Sequence, residues 1–254
     1  MIRGVLIDID GVLTVSWTPL PRAVEALKWL RDNGYPVALV TNTTSRTRQS
    51  IADTLAAEGF PVGLGDVFTA PAVTAAHVRE RYPGARCALL NSGDIAADLE
   101  GLTLVEERPD VVIVGGAGPE FGYHELNRVF GYLQEGARLV AMHRNLYWRT
   151  QAGLQLDAGA FLLGLERAAG AEAEVVGKPA AAFFATALKS LGTAADESIM
   201  IGDDIEADVL AAQHHGMTGV LVKTGKYRAE THHESPERPD HVLDSFADLP
   251  GFLR

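Results

Sequence analysis

Residues 8–13 read Asp8-Ile9-Asp10-Gly11-Val12-Leu13, directly after the apolar run Gly4-Val5-Leu6-Ile7. A run this rich in aliphatic and β-branched residues predicts a strand buried on both faces, as in parallel sheets covered by helices. A carboxylate at the buried end of such a strand is costly unless something compensates it. Two carboxylates at a spacing of two share a side of the pleat and repel each other. A bound divalent cation would relieve the repulsion, and Gly11 would let the chain turn away just beyond the site. The competing reading is a pair of acids that merely decorates a strand end.

Outward from this strand, strand-like and helix-like segments alternate, the pattern of an α/β protein. A helix is predicted from about Pro21 to Asn33, with Ala23, Ala26, Leu27 and Leu30 on one face and Gly34 as its stop. Val37-Ala38-Leu39-Val40 follows as a buried strand ending at Thr41-Asn42, and a helix then runs from about Ser45 to Glu58. Ser198-Ile199-Met200-Ile201 leads into Gly202-Asp203-Asp204, a helix extends to about His215, and Gly219–Val222 reads as a strand. Residues 228–240 read as an exposed loop. Open parallel sheets bind ligands at the carboxyl ends of their strands, so Asp8/Asp10, Thr41/Asn42 and Asp203/Asp204 are expected to converge.

Only about ten residues separate Asp10 from the first helix, whereas more than a hundred lie between Thr41 and Lys178. That stretch has its own alternation: helix 71–82, strands 86–90 and 111–115, helix 123–135, strand 138–142 and helix 158–169. The expected organisation is a doubly wound, Rossmann-like parallel-sheet core (1–74 and 174–254) with an inserted α/β domain (75–173) able to cover a site and exclude water.

The net charge of −11 argues against nucleic acid and anionic membrane surfaces as partners. It leaves room for a small phosphorylated ligand, because a metal and a few local cations can override the global field. No stretch approaches the ~20 apolar residues a membrane span needs. The single cysteine, Cys87, suits a reducing compartment and reads as a packed core thiol. With no secretory signal pattern at the start, the expected location is cytoplasmic.

Taken singly, the remaining motifs are ambiguous. Gly177-Lys178-Pro179 precedes a predicted helix over 180–191, where Pro at the first position and a Lys near an anion-attracting helix start are favourable. A solvated lysine is the plain alternative. Thr41 and Asn42, with Thr44 and Ser45 in the first turn of the next helix, could be simple caps. Asp203, Asp204 and Asp208 could be a solvated acidic helix start. Gly115–Gly122 is rejected as a dinucleotide loop, since Phe121 takes the third glycine position and Pro119 removes a donor. The pairs His214-His215 and His232-His233 lack the spacing for chelation on a helix and read as surface histidines.

Read in order, Asp-x-Asp-Gly-Val-Leu, Thr41-Asn42, Gly177-Lys178-Pro179 and Gly202-Asp203-Asp204 with Asp208 resemble the haloacid dehalogenase superfamily of phosphohydrolases. The insertion after the second motif resembles its cap-bearing subclass IIA, the p-nitrophenyl phosphatase-like members. Lys223-Thr224-Gly225-Lys226-Tyr227-Arg228, with Val176–Pro179 and Met200–Asp204, is similar to the branch containing phospholysine phosphohistidine inorganic pyrophosphate phosphatase. The resemblance implies Asp8 as nucleophile and Asp10 as general acid and base. It implies Mg²⁺ held by Asp8, the Asp10 carbonyl and Asp203, and a phosphoryl group bound by Thr41, the Asn42 amide and Lys178. Asp208 would orient Lys178 or a metal-bound water, and Asp204 would stand behind the ligands. Arg144 or Asn145, in the cap, would meet the leaving group, and self-association as a homodimer is expected. Ala207 departs from the pattern, where many relatives carry Thr. The implied activity is hydrolysis of a small phosphorylated compound. The alternative is a phosphate- or metabolite-binding regulatory module on the same fold, without turnover.

Overall fold

The computed structural model describes residues 2–150 and 153–254, without the side chains of 148–150. By its internal contacts the chain forms two compact units, one of residues 1–41, 48–68 and 178–254, the other of 42–47 and 69–177. Against the expected borders at 75 and 173, the second unit starts earlier, ends later and also takes in the short segment 42–47.

The first unit is built on a six-stranded sheet in the order His241–Leu243, Thr218–Val222, Ser198–Gly202, Gly4–Asp8, Val37–Thr41, Val67–Thr69. Gly4–Asp8 is central and pairs in parallel with Ser198–Gly202 (Ile7 beside Ile201) on one side and with Val37–Thr41 (Asp8 beside Val40) on the other. All five residues of each of these three strands are buried, which explains why their sequences are apolar throughout rather than alternating. Val5 and Ile7 enter one core with Leu39, Ile201, Val220 and the helix residues Leu27, Leu30, Ile51 and Leu55. By the pleat, Leu6 and Asp8 belong to the opposite face, and helix Ala181–Leu191 packs on Gly4–Asp8 and Val37–Thr41. That helix buries Phe183 and Phe184 completely, side chains worth roughly 1.5–3 kcal/mol each when withdrawn from water. The residues just before it, Lys178 among them, are thereby carried to the carboxyl end of the central strand.

The second unit has a five-stranded parallel sheet in the order Glu174–Val175, Arg138–Ala141, Val111–Val114, Arg86–Leu90, Thr103–Leu104. Its core joins Leu90, Val112, Val114, Leu139 and Ala141 to Val129 and Leu133 of helix Tyr123–Gln134 and Leu162 and Leu165 of helix Ala158–Ala169. An antiparallel hairpin, Tyr147–Thr150 with Gly153–Leu156, completes it. Cys87 is fully buried in this unit, and burial, with Asp110 nearby, pushes its thiol pKa up, as befits a packing residue.

Helices 21–33 and 45–58 of the sequence reading are the helices Ala23–Asp32 and Arg48–Ala57. Thr44 and Ser45 therefore lie in the loop ahead of a helix, not in its first turn. Thr103–Leu104 was not anticipated, since a two-residue edge strand with both residues exposed has no periodicity to read. The polar stretch after Arg228 includes the short, fully unburied helix Ala229–Glu234. Among the described residues, no helix is long and apolar enough to cross a membrane.

Candidate functional site

In the first unit, the carboxyl ends of the central strands bring four buried charged side chains together. Asp8 ends Gly4–Asp8, Asp203 follows Ser198–Gly202, Asp208 lies one turn further on, and Lys178 precedes helix Ala181–Leu191. Their exposures are 6%, 2%, 2% and 4%, so water solvates none of them well. Lys178 Nζ lies 2.5 Å from Asp8 Oδ1 and 2.7 Å from Asp208 Oδ1. Burial alone would pull the Lys178 ammonium down, but Asp208 and Asp8 overcome it and hold its pKa above the ordinary lysine value.

Lys178 is buried against three buried carboxylates, the exposed Lys226 ammonium offsets only part of the excess, and the imbalance falls on Asp203. Its Oδ2 accepts a hydrogen bond from the Lys226 amide at 2.6 Å, while its buried Oδ1 has no hydrogen-bond partner. Burial, with Asp8 and Asp208 close by, pushes its pKa up to about 8. Burial, then Asp8 and Asp204, raise Asp208 as well, against the pull of Lys178. Among the described residues, Asp8, Asp203 and Asp208 each offer one carboxylate oxygen to a group whose three atoms lie within 4.8 Å of one another. A crowded, oxygen-only, negatively charged set with an orphaned buried oxygen fits a hard divalent cation, which would supply the missing positive charge.

Local structure explains how the acids are aimed. The turn after Ser198–Gly202 is unusually wide, with Val209 N–H reaching back to the Asp204 carbonyl at 3.3 Å alongside Asp208 N–H to the same oxygen. Such wide turns recur at functional sites. Here it folds Asp208 back over Gly202, where a Cβ would lie only 2.3 Å from that of Asp208. Asp204 caps the turn, accepting from Glu206 N–H and Ala207 N–H at 3.1 and 3.0 Å. Its Oδ1 is thus engaged in holding the turn, while Oδ2 faces the Lys226 ammonium at 3.9 Å.

Asp10 departs from the simple picture of two acids on one side of a strand. The strand stops at Asp8, Ile9 is buried, and Asp10 lies beyond in an isolated bridge with Thr14, its side chain exposed. The surrounding protein and then Asp8 raise its pKa, while Lys226 and the Ser16 backbone oppose them. For a side chain at the surface, solvent screening keeps this effect modest. Pro179 is also displaced from the expected first helical position, because the helix starts at Ala181 with Ala180 as its N-cap. Lys178 is therefore held by its ion pairs and not by the helix start.

Thr41 is buried at the end of Val37–Thr41. Asn42, Arg144 and Asn145 belong to the second unit. Arg144 is ion-paired with Glu166 of helix Ala158–Ala169. The Asn145 side chain is exposed, while its carbonyl accepts from Gly159 N–H at 2.9 Å. The sequence reading assigned no role to Thr224, Gly225 or Lys226, yet all three touch the acid cluster or its loops. The signal available was their place directly after a buried strand of the same sheet.

Comparison with known proteins agrees with this architecture. Residues 5–104 match the family model described as haloacid dehalogenase-like hydrolase, and residues 175–249 match one described as HAD-hydrolase-like. The chain is 38% identical to haloacid dehalogenase-like hydrolase domain-containing protein 2 of Bos taurus, over 96% of this chain and 93% of that one. It is 37% identical to phospholysine phosphohistidine inorganic pyrophosphate phosphatase of Rattus norvegicus, over 99% and 94%. Among solved structures, p-nitrophenyl phosphatase from Archaeoglobus fulgidus superposes with a TM-score of 0.93 at 28% identity, covering 98% of each chain.

Proposed function

The chain belongs to the haloacid dehalogenase-like hydrolases and is a phosphatase, and we propose that it hydrolyses a small phosphorylated compound through a covalent phosphoaspartyl intermediate on Asp8 with the help of Mg²⁺. The observation that carries this proposal is Lys178 bridging Asp8 and Asp208 beside an Asp203 oxygen with no partner. Similarity to a phosphatase whose name includes phospholysine, phosphohistidine and pyrophosphate supports phosphoramidates and pyrophosphate as candidates alongside phosphomonoesters.

Lys178 holds the Asp8 carboxylate in place and offers its positive charge to the phosphoryl oxygens, with Thr41 and the Asn42 amide as further donors. An Asp8 oxygen attacks phosphorus and the bond to the leaving atom breaks, Asp10 giving that atom its proton. The raised pKa of Asp10 suits this acid role. Asp10, now a carboxylate, takes a proton from the attacking water, the bond between phosphorus and Asp8 breaks, and phosphate leaves. Asp208 keeps Lys178 oriented, and Asp204 holds the turn that carries Asp208. Asp8, Asp203 and the Asp10 carbonyl would hold Mg²⁺, whose charge, when bound, lets an anionic nucleophile approach an anionic phosphoryl group. By its place in the chain, between the second and third motifs, the second unit is assigned the part of a cap, with Arg144 or Asn145 as its candidate substrate-contacting residue.

Phosphate release from p-nitrophenyl phosphate, pyrophosphate and a panel of phosphoramidates tests the assignment. Turnover should require Mg²⁺, stop with EDTA and fall by about 10³-fold or more in Asp8→Asn. Phosphate binding without turnover would instead indicate a regulatory module.

A further inference from the structure

The acid cluster is closed on one side by a loop that the catalytic scheme does not use. Directly after strand Thr218–Val222, the Thr224 hydroxyl donates to the Gly11 carbonyl at 2.5 Å, and the Lys226 amide donates to Asp203 Oδ2 at 2.6 Å. Between them, Gly225 lies against both segments. A Cβ there would be 2.0 Å from Asp203 Oδ2 and 2.5 Å from Gly11 Cα, and its φ of +57° is itself unfavourable for other residues. A Cβ on Gly11 would meet the same Asp203 oxygen at 1.9 Å. Three strand ends therefore touch backbone to carboxylate with no side chain interposed.

Each contact limits a group that the metal site needs. With Asp203 Oδ2 occupied by an amide, Oδ1 is left as the free oxygen of that carboxylate. Gly11 is fixed at both main-chain groups, its N–H donating to the Thr14 carbonyl at 2.6 Å and its carbonyl receiving Thr224. Because a peptide group is planar, the Thr14 bond fixes the plane carrying the Asp10 carbonyl, and the Thr224 bond fixes the next plane, so Thr224 steadies the Asp10 carbonyl across the one Cα between them. We propose that Thr224-Gly225-Lys226 is a positioning element for the divalent cation, presenting Asp203 Oδ1 and the Asp10 carbonyl in a set geometry, which rests on the Mg²⁺-dependent reading above. Thr224, Gly225 and Lys226 act here through Asp203 and Gly11, without touching the cation.

Mg²⁺ binding to the purified full chain by calorimetry, alongside kcat and KM with p-nitrophenyl phosphate, tests this. Thr224→Val should raise the Kd for Mg²⁺ by about 10-fold, the lower end of what loss of an outer-shell partner costs. It should leave KM for p-nitrophenyl phosphate at saturating Mg²⁺ near the wild-type value, and Thr224→Ser should restore the wild-type Kd. Gly225→Ala, which crowds Asp203 directly, should weaken Mg²⁺ more; Thr224→Val carries the test if that variant does not fold. Wild-type Mg²⁺ affinity in folded Thr224→Val would overturn the inference and leave the phosphatase assignment standing. Absence of Mg²⁺ binding in the wild type would remove both.

Discussion

The two units are both parallel sheets flanked by helices, yet the carboxyl ends of their strands are finished in opposite ways. In the second unit the polar groups there satisfy one another. Asn91, following Arg86–Leu90, donates through its amide to the carbonyls of Thr44, Ser92 and Gly93 and accepts from Gly116 N–H at 2.9 Å. Asp157 accepts from Ala117 N–H and Ala158 N–H. In the first unit the equivalent ends hold three buried carboxylates, one ammonium and an oxygen with no partner. A satisfied network is a structural fixture, whereas a crowded, underneutralised one stores destabilisation that a ligand can release. The same sheet architecture thus separates a strand-end cluster that supports the fold from one that carries chemistry.

Substitutions in the two clusters should accordingly act with opposite sign on the metal-free protein. The largest change is expected for Asn91→Ala, which strands several main-chain groups and should cost about 2 kcal/mol, read by urea denaturation. Asp203→Asn should do the reverse, stabilising the metal-free protein by about 1 kcal/mol at pH 8, since it removes an unpaired buried charge. The same variant should lose the rise in Tm that Mg²⁺ gives the wild type. A destabilised Asp203→Asn would erase the distinction between the two clusters.

A smaller effect sharpens the same contrast. Asp203 titrates near 8 in the metal-free fold against an ordinary 3.8. Between those values the folded protein holds a proton that the unfolded chain has released, so stability falls as pH rises through this window. Lys178, raised in the fold, keeps its stabilisation across the window and does not cancel the trend. The metal-free Tm should drop between pH 5 and 8 by at least the ~2–4 °C that ~1 kcal/mol gives a chain of this size. Asp203→Asn should reduce that slope, leaving the part that the raised Asp208 contributes.

Much of this was legible in the sequence because the relevant residues sit at the ends of apolar runs. Gly4–Ile7 and Ser198–Ile201 announce buried strands, so Asp8 and Asp203 are conspicuous as charges where charge is costly. Lys178 was legible only by its order among the other motifs, since a lysine beside a proline has no intrinsic signal. The role of Asp204 as a cap was written in its position before Glu206 and Ala207, but so was an acidic helix start, and only hydrogen bonds separate the two. Of the Thr224–Lys226 contacts only the neighbourhood was legible, from their place directly after a buried strand. They depend on main-chain groups and on the missing Cβ of Gly225, neither of which leaves a pattern in composition or periodicity. Asn91 was hidden likewise, because its partners are main-chain groups, two adjacent and two, Thr44 and Gly116, far along the chain.

The most direct measurement is rapid acid quench of the enzyme during turnover of a phosphorylated substrate with Mg²⁺, followed by borohydride reduction and peptide mass spectrometry. Reduction of an acyl phosphate converts the aspartate to homoserine, and the account predicts that conversion at Asp8 alone, absent in Asp8→Asn and absent with EDTA. Conversion at another carboxylate, or steady turnover with Asp8 unmodified at every quench time, would contradict it.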